Sequence, residues 1–267
     1  MQKQTIYSIL IFLAVVFFSS CEDIIDIDLN SSDPKVVIVA DLNNEEKSHA
    51  IFVSKSVNFD DPKPNEPVLD AEVYIRLGNG KTFYFTSVGE GKYINPDLPI
   101  SVGESYTLTV VVDGEEYKST TTMLAYIEVD SIGVNQETIF NEDYFFVNFK
   151  FFDPSGQENY YRYSMSINGS PMKFNAIFSD KFNDGNEVTH QLGREDGNDI
   201  KPGDSLLIRR QIVTKEVYNY WAEYSQTNPG SAAPGNPTSN ISNGALGYFS
   251  VSSVRDYPVG IDKPSQG

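Results

Sequence analysis

Few residues in this chain combine the types and spacing that chemistry requires. There are two histidines, His49 and His190, and one cysteine, Cys21. Neither histidine begins a recognisable motif. No G-x-S-x-G elbow is present to raise a serine nucleophile on a sharp strand-to-helix turn. H-E-x-x-H is absent, and one cysteine cannot make a C-x-x-C pair, which removes the commonest zinc signatures. The nearest approach to a metal loop is Asp180 to Glu187 (DKFNDGNE), because hard cations take carboxylate and carbonyl oxygens from compact acidic segments. Against an EF-hand loop starting at Asp180, however, the third position is Phe182 and the twelfth is Gln191. Two ligands are missing, and a hydrated hairpin turn is the favoured reading. Gly78-Asn79-Gly80 lacks the third glycine of a phosphate loop and joins strand to strand, so it too reads as a turn. Glycoside hydrolysis needs two carboxylates at a set separation, and an abundance of acid is not such a pair. The expectation is no catalytic residue, no metal ligand set and no cofactor.

Three residues are candidates for covalent modification instead. Asp130-Ser131-Ile132 and Asp204-Ser205-Leu206 resemble a three-residue signal for bacterial protein O-glycosylation, which marks Ser131 and Ser205. Cys21 carries the stronger pattern. Lys3 precedes an almost unbroken apolar run, Ile6 to Phe18, and Ser19-Ser20 lead into the cysteine. A bilayer-spanning helix needs roughly 20 apolar residues and this run is shorter, as in the h-region of a secretory signal. Phe18-Ser19-Ser20-Cys21 resembles a lipobox, with Phe where Leu is commoner. Residues 1–20 therefore read as a cleaved signal peptide and Cys21 as the lipidated first residue. A single acyl chain binds a membrane only marginally, whereas the several chains of a lipoprotein cysteine anchor stably. With no second cysteine, an internal disulfide is excluded.

The formal charge is −17. Such a polyanion repels nucleic acid and anionic headgroups, so nucleic-acid binding is not expected. Apolar residues at 40 % and aromatics at 13 % supply a core, which excludes wholesale disorder.

The elements that would position any site are strands. Residues 21–34 form an acidic tether, Glu22-Asp23-Ile24-Ile25-Asp26-Ile27-Asp28 and a polar stretch. From Val36 onward, strands recur: Val36 to Ala40, His49 to Ser56, Ala71 to Leu77, Thr82 to Thr86, Tyr106 to Val112 and Tyr117 to Met123, alternating as half-buried antiparallel strands do. Asp113-Gly114 predicts a type I′ turn with positive φ at both residues. Asn58 to Pro67 reads as a long loop. This spacing suggests a sandwich of about seven strands over residues 35–125. A second, more aromatic β region covers residues 126–257. Asp143 to Phe152 places Phe145, Val147, Phe149 and Phe151 on one face, taken as core. Tyr144, Phe146 and Phe152 make the other face half apolar, as in a central strand covered on both sides, the alternative being an aromatic face that contacts a partner or a sugar ring. Asn159 to Ile167, Lys173 to Ser179, Val188 to Leu192 and Ser205 to Val213 follow. Thr214 caps the one substantial helix, whose Val217, Trp221 and Tyr224 pack on the sheet. Thr227 to Asn243 is a loop, Ala245 begins a last strand, and residues 258–267 read as a frayed tail.

Taken in order, these features resemble a Bacteroidota lipoprotein family catalogued as domain of unknown function 4249. The resemblance rests on Cys21 to Leu29, the strand at Val36, Ser54-Lys55-Ser56, Ala71-Glu72-Val73, Tyr106 to Val110 and Val129-Asp130-Ser131-Ile132. Further on it rests on Lys201 to Ser205, Tyr218-Asn219-Tyr220, Asn236-Pro237, Asn240-Ile241 and Gly244 to Phe249. It implies an N-terminal domain similar to immunoglobulin-like or carboxypeptidase-regulatory modules, and a companion of outer-membrane TonB-dependent receptors. It supplies no catalytic residue. The acidic residues behind Cys21 also resemble the signal that exports Bacteroidota lipoproteins to the cell surface, the periplasmic leaflet being the alternative.

The expectation is thus an all-β, non-enzymatic lipoprotein held in the outer membrane by its lipid. It would act as accessory or substrate-binding partner of a TonB-dependent receptor, or another outer-membrane β-barrel, in nutrient uptake. The alternative is an adhesin or envelope-structural β-sandwich.

Overall fold

Period-2 alternation governs most of this chain, and in the computed structural model it produces fifteen strands and one helix among the described residues, 33–57, 63–193, 200–226 and 235–262. The signal peptide, Cys21 and nearly all of the acidic tether lie outside them.

The first half contributes β1 (Val36–Asn43), β2 (His49–Lys55), the two-residue β3 (Glu66–Pro67), β4 (Glu72–Leu77), β5 (Thr82–Ser87), β6 (Lys92–Asn95), β7 (Ser105–Val112) and β8 (Glu115–Thr122). β1, β2 and β6 pair in sequence, as do β4, β7 and β8, and β5 joins the two groups. It does so by pairing Phe83 and Phe85 with β4 and then Thr86 and Ser87 with β6. Alternate residues fill one core: Ile38, Ala40 and Leu42 from β1, Ile51 and Val53 from β2, Val73 and Ile75 from β4, and Leu108 and Val110 from β7. Asp113 (φ 53°) and Gly114 (φ 86°) both take positive φ in the β7–β8 turn, as the dipeptide predicts. The long loop expected to run to Pro67 ends earlier, because Glu66 and Pro67 pair with Lys55 and Ser54.

The second half adds β9 (Ser131–Ile139), β10 (Glu142–Phe152), β11 (Tyr160–Ile167), β12 (Lys173–Ser179), β13 (Glu187–Leu192), β14 (Ser205–Val213), α1 (Lys215–Gln226) and β15 (Leu246–Gly260). A three-stranded sheet, β13-β10-β9, covers the sheet formed by β12, β11, β14 and β15. Val147, Phe149 and Phe151 are fully buried between them, so that face of β10 is core as its parity indicates. The opposite face is not covered throughout. Phe152 remains 60 % exposed, because the small sheet packs on one side only.

There are two hydrophobic cores, one drawing mostly on residues 36–123 and the other mostly on residues 147–212, and the last strand serves both. Leu246 to Ser252 of β15 run parallel to β1, and Ser253 to Gly260 run antiparallel to β14. A continuous twelve-stranded sheet results. Gly247 makes the parallel junction: its φ is +89°, and a Cβ there would sit 2.0 Å from the Ile38 carbonyl oxygen. Residues 258–260, expected in a frayed tail, belong to this strand, with Pro258 opposite Leu207, and Ile261 is buried behind them. Proline is tolerated there because β1 ends its pairing at Asn43–Ser252, leaving that edge of β15 unpaired by strand.

Candidate functional site

Parity decides which side chains of the continuous sheet meet. On β11, Tyr161, Tyr163 and Met165 enter the second core, so Arg162 and Ser164 face the other way. On β14, Leu206, Ile208 and Ile212 enter that core while Arg209 and Gln211 face outward. On β1, Ile38, Ala40 and Leu42 enter the first core, which turns Val39, Asp41 and Asn43 to the same outer side. Arg162 lies opposite Gln211, and Ser164 opposite Arg209, across the β11–β14 ladder. The register therefore gathers charged and amide groups from strands far apart in sequence.

Helix α1 lies over one end of this face. The Thr214 carbonyl accepts the Tyr218 amide at 2.9 Å and opens the helix. Val217 is buried with Tyr160, Val213 and Tyr248, while Tyr218, Tyr220 and Trp221 pack around them. Trp221 stacks on Phe174 of β12, with ring centroids 4.7 Å apart and planes 17° apart. Its other neighbour is Arg162, whose guanidinium stands 4.0 Å from the indole centroid.

The result is a cleft of about 210 Å³ whose lining includes Asp41, Asn43, Arg162, Arg209, Gln211 and Trp221, with Phe174 at its wall. Arg162 Nη1 donates to Asp41 Oδ2 at 2.5 Å, and Tyr248 Oη donates to the same oxygen at 3.1 Å. Gln211 Nε2 donates to Ser252 Oγ at 2.9 Å and lies 3.4 Å from Asp41 Oδ1. Burial opposes the Arg162 charge, but Asp41 outweighs it and the guanidinium is held above its ordinary range. The Tyr248 phenol is pushed well up, by burial first and the Asp41 charge second. Two buried donors, Arg162 Nε and Trp221 Nε1, find no hydrogen-bond partner among the described residues. Acceptors, donors and an aromatic wall in one hollow suit a polar ligand with an apolar face, such as a sugar ring. Phe174 also lines a second, adjoining hollow of about 430 Å³, together with Phe146, Phe178 and Asn175.

The histidines are not brought together. His49 opens β2 and is buried, and burial lowers its pKa. His190, on β13, stacks on Phe178 at 4.0 Å and shares a 3.0 Å hydrogen bond with the Tyr163 hydroxyl. Burial, and secondly the Arg210 charge, take its pKa down to about 3. Arg210 is fully buried without a carboxylate partner among the described residues. Tyr163 Oη and the Ile127 carbonyl accept from it at 2.9 and 2.6 Å, and its guanidinium lies 4.4 Å from the Phe151 ring. Burial pushes the Tyr163 phenol up to about 12. This network is sealed inside the second core.

Ser131 and Ser205 are both exposed, at the first residues of β9 and β14, and far apart in the fold order. Asn168 Oδ1 accepts the Ser205 amide at 2.9 Å. Cys21 lies outside the described residues. The DKFNDGNE segment is a turn as expected, with Asn183 N donating to Asp180 O at 2.6 Å, but not a hairpin: β12 and β13 belong to different sheets.

Sequence reasoning missed Asp41, Arg162 and Gln211. The one available signal was Arg162 itself, a charge inside the apolar-aromatic run Tyr160 to Ile167. No curated protein matches the chain. The family model described as Domain of unknown function (DUF4249) matches residues 22–257, and the chain belongs to that family.

Proposed function

We propose that this chain is a non-catalytic binding lipoprotein of the outer membrane, anchored through Cys21 and displayed at the cell surface. It serves there as accessory or substrate-binding partner of a TonB-dependent receptor in nutrient uptake. One observation carries the binding part of this reading: the cleft at Arg162, Asp41 and Trp221. Its charged groups are committed to each other and to the sheet, its aromatic wall is preformed, and two buried donors of its lining residues lack hydrogen-bond partners among the described residues. That is the composition of a recognition site, in which a few fixed polar groups orient a ligand against apolar walls. The lipobox and the acidic residues behind Cys21 support the anchorage, and the family resemblance supports the receptor.

Affinity-tagged full-length lipoprotein, extracted from its own membranes in detergent, should carry with it a large outer-membrane β-barrel protein. Repeated recovery without one sinks the receptor partnership. Protease applied to intact cells should cleave the lipoprotein; cleavage only after lysis returns it to the periplasmic leaflet. The adhesin alternative draws on the β9–β10 hairpin, where Val134 and Phe140 are exposed, Phe140 almost completely. It requires that loss of the gene change attachment and leave uptake intact.

A further inference from the structure

The turn between β12 and β13 packs against the end of β10. The Asp153 amide, just past β10, donates to the Asn186 carbonyl at 2.9 Å and fixes the two segments together. One carboxylate oxygen from each of Asp153, Asp180 and Asp184 lies within 4.8 Å of the others. Asp153 is fully buried and Asp180 nearly so, while Asp184 is exposed. Among the described residues none of the three has a Lys, Arg or His partner. Two buried carboxylates beside a third, with no counter-charge, repel one another at short range in a poorly solvated place.

Their hydrogen bonds orient them without neutralising them. Tyr161 Oη donates to Asp153 Oδ1. Asp180 Oδ2 accepts from the Asn159 amide at 2.8 Å and lies 3.4 Å from its Nδ2. Asp184 Oδ1 accepts from the Gly156 amide at 2.7 Å. Asp153 Oδ2 is left over: it is buried and has no hydrogen-bond partner among the described residues. That orphan atom belongs to the most deeply buried member of the trio, and it is the second sign that something positively charged is wanted here. A proton would satisfy one oxygen only, whereas a divalent ion can be held by all three carboxylates and offsets most of their charge.

We propose that Asp153, Asp180 and Asp184 bind a calcium ion, which ties the β12–β13 turn to the end of β10. The donor set is all carboxylate, which selects a hard cation over zinc. Magnesium dehydrates reluctantly and is held through one or two carboxylates with several waters, so three converging carboxylates favour calcium. Main-chain carbonyls of the turn and water complete the shell. The site differs from an EF-hand because one ligand, Asp153, comes from a different strand end, and it is independent of the cleft.

The test uses the full chain in detergent, stripped with EGTA and titrated with calcium chloride by calorimetry, with thermal unfolding in parallel. One calcium should bind per chain, and saturation should raise Tm by about 5 °C. Asp184→Asn, at an exposed position that leaves the core alone, should weaken binding about tenfold or more. Asp153→Asn should melt above the unsubstituted protein in EGTA, because the orphaned buried charge is gone, and should lose the calcium response. No heat and no Tm response overturns the proposal. So does an undiminished affinity in both variants, which would put the ion elsewhere, and an equal response to magnesium chloride overturns the choice of calcium.

Discussion

Arg162 on β11 stands with its guanidinium carbon 4.0 Å from the ring centroid of Trp221 on α1, while the same guanidinium is ion-paired with Asp41 on β1. Three elements from both halves of the chain thus share one buried cation. The Arg162 side chain is 8 % exposed and that of Asp41 26 %. Removing either charge therefore strands the other in a poorly solvated place.

Asp41→Asn should destabilise the protein by about 3 kcal/mol, the low end for breaking a buried pair, since Asp41 retains some water. Denaturant unfolding checks this. A loss under about 1 kcal/mol, the range of exposed pairs, would show that solvent reaches Arg162 freely.

Gly247→Ala places a Cβ against the Ile38 carbonyl at a backbone conformation that alanine resists. β1 and β15 must then separate. The loss should exceed about 3 kcal/mol, with amide exchange accelerating first in Ile38 to Leu42 and Phe249 to Val251. Gly244→Ala is the comparison: φ is positive there too, but nothing lies within 4 Å of the added atom, so the loss should be about 1 kcal/mol.

His190 makes stability depend on pH. Its folded pKa is about 3 against an ordinary 6.5. Between those values the unfolded chain takes up a proton that the folded chain refuses. The stabilisation is complete above about pH 6.5 and is lost as pH falls toward 3, by up to about 1.4 kcal/mol per unit. Urea unfolding at pH 7, 6 and 5 should show this slope, and His190→Gln should reduce it by about 1 kcal/mol per unit between pH 6 and 5. The buried His49, also lowered, supplies part of what remains. Identical slopes would mean that the folded chain protonates His190 as readily as the unfolded chain does.

Trp221 is the single tryptophan of the chain and forms part of the cleft. A ligand entering the cleft must change its emission, which makes fluorescence titration against oligosaccharides a direct screen. Any ligand so found should bind about tenfold or more weakly to Trp221→Ala, the loss of one aromatic stacking contact and its area. A quench that survives in Arg162→Lys with unchanged affinity would place the ligand away from the guanidinium.

Much of the architecture was legible because it is local. Alternation along Glu72 to Leu77 or Ser205 to Val213 follows from the two-residue period of a strand, and Asp113-Gly114 from the positive φ that such a turn imposes. The β10 face formed by Val147, Phe149 and Phe151 was legible for the same reason. Period could not say what covers the opposite face, and Phe152 lies exposed where burial was expected.

The sequence by itself determined an all-β chain with one helix, the positions of most strands and turns, and the pattern around Cys21. Only the tertiary structure decided that β15 runs from one core to the other beside β1, that Pro258 belongs to it, and that Asp41 meets Arg162. It alone joined Asp153 to Asp180 and Asp184. The physical reason is range. Side-chain parity and turn conformation are set by sterics between neighbours, whereas these contacts depend on which strands pair and in which register, and a one-residue slip would turn Asp41 or Arg162 into a core.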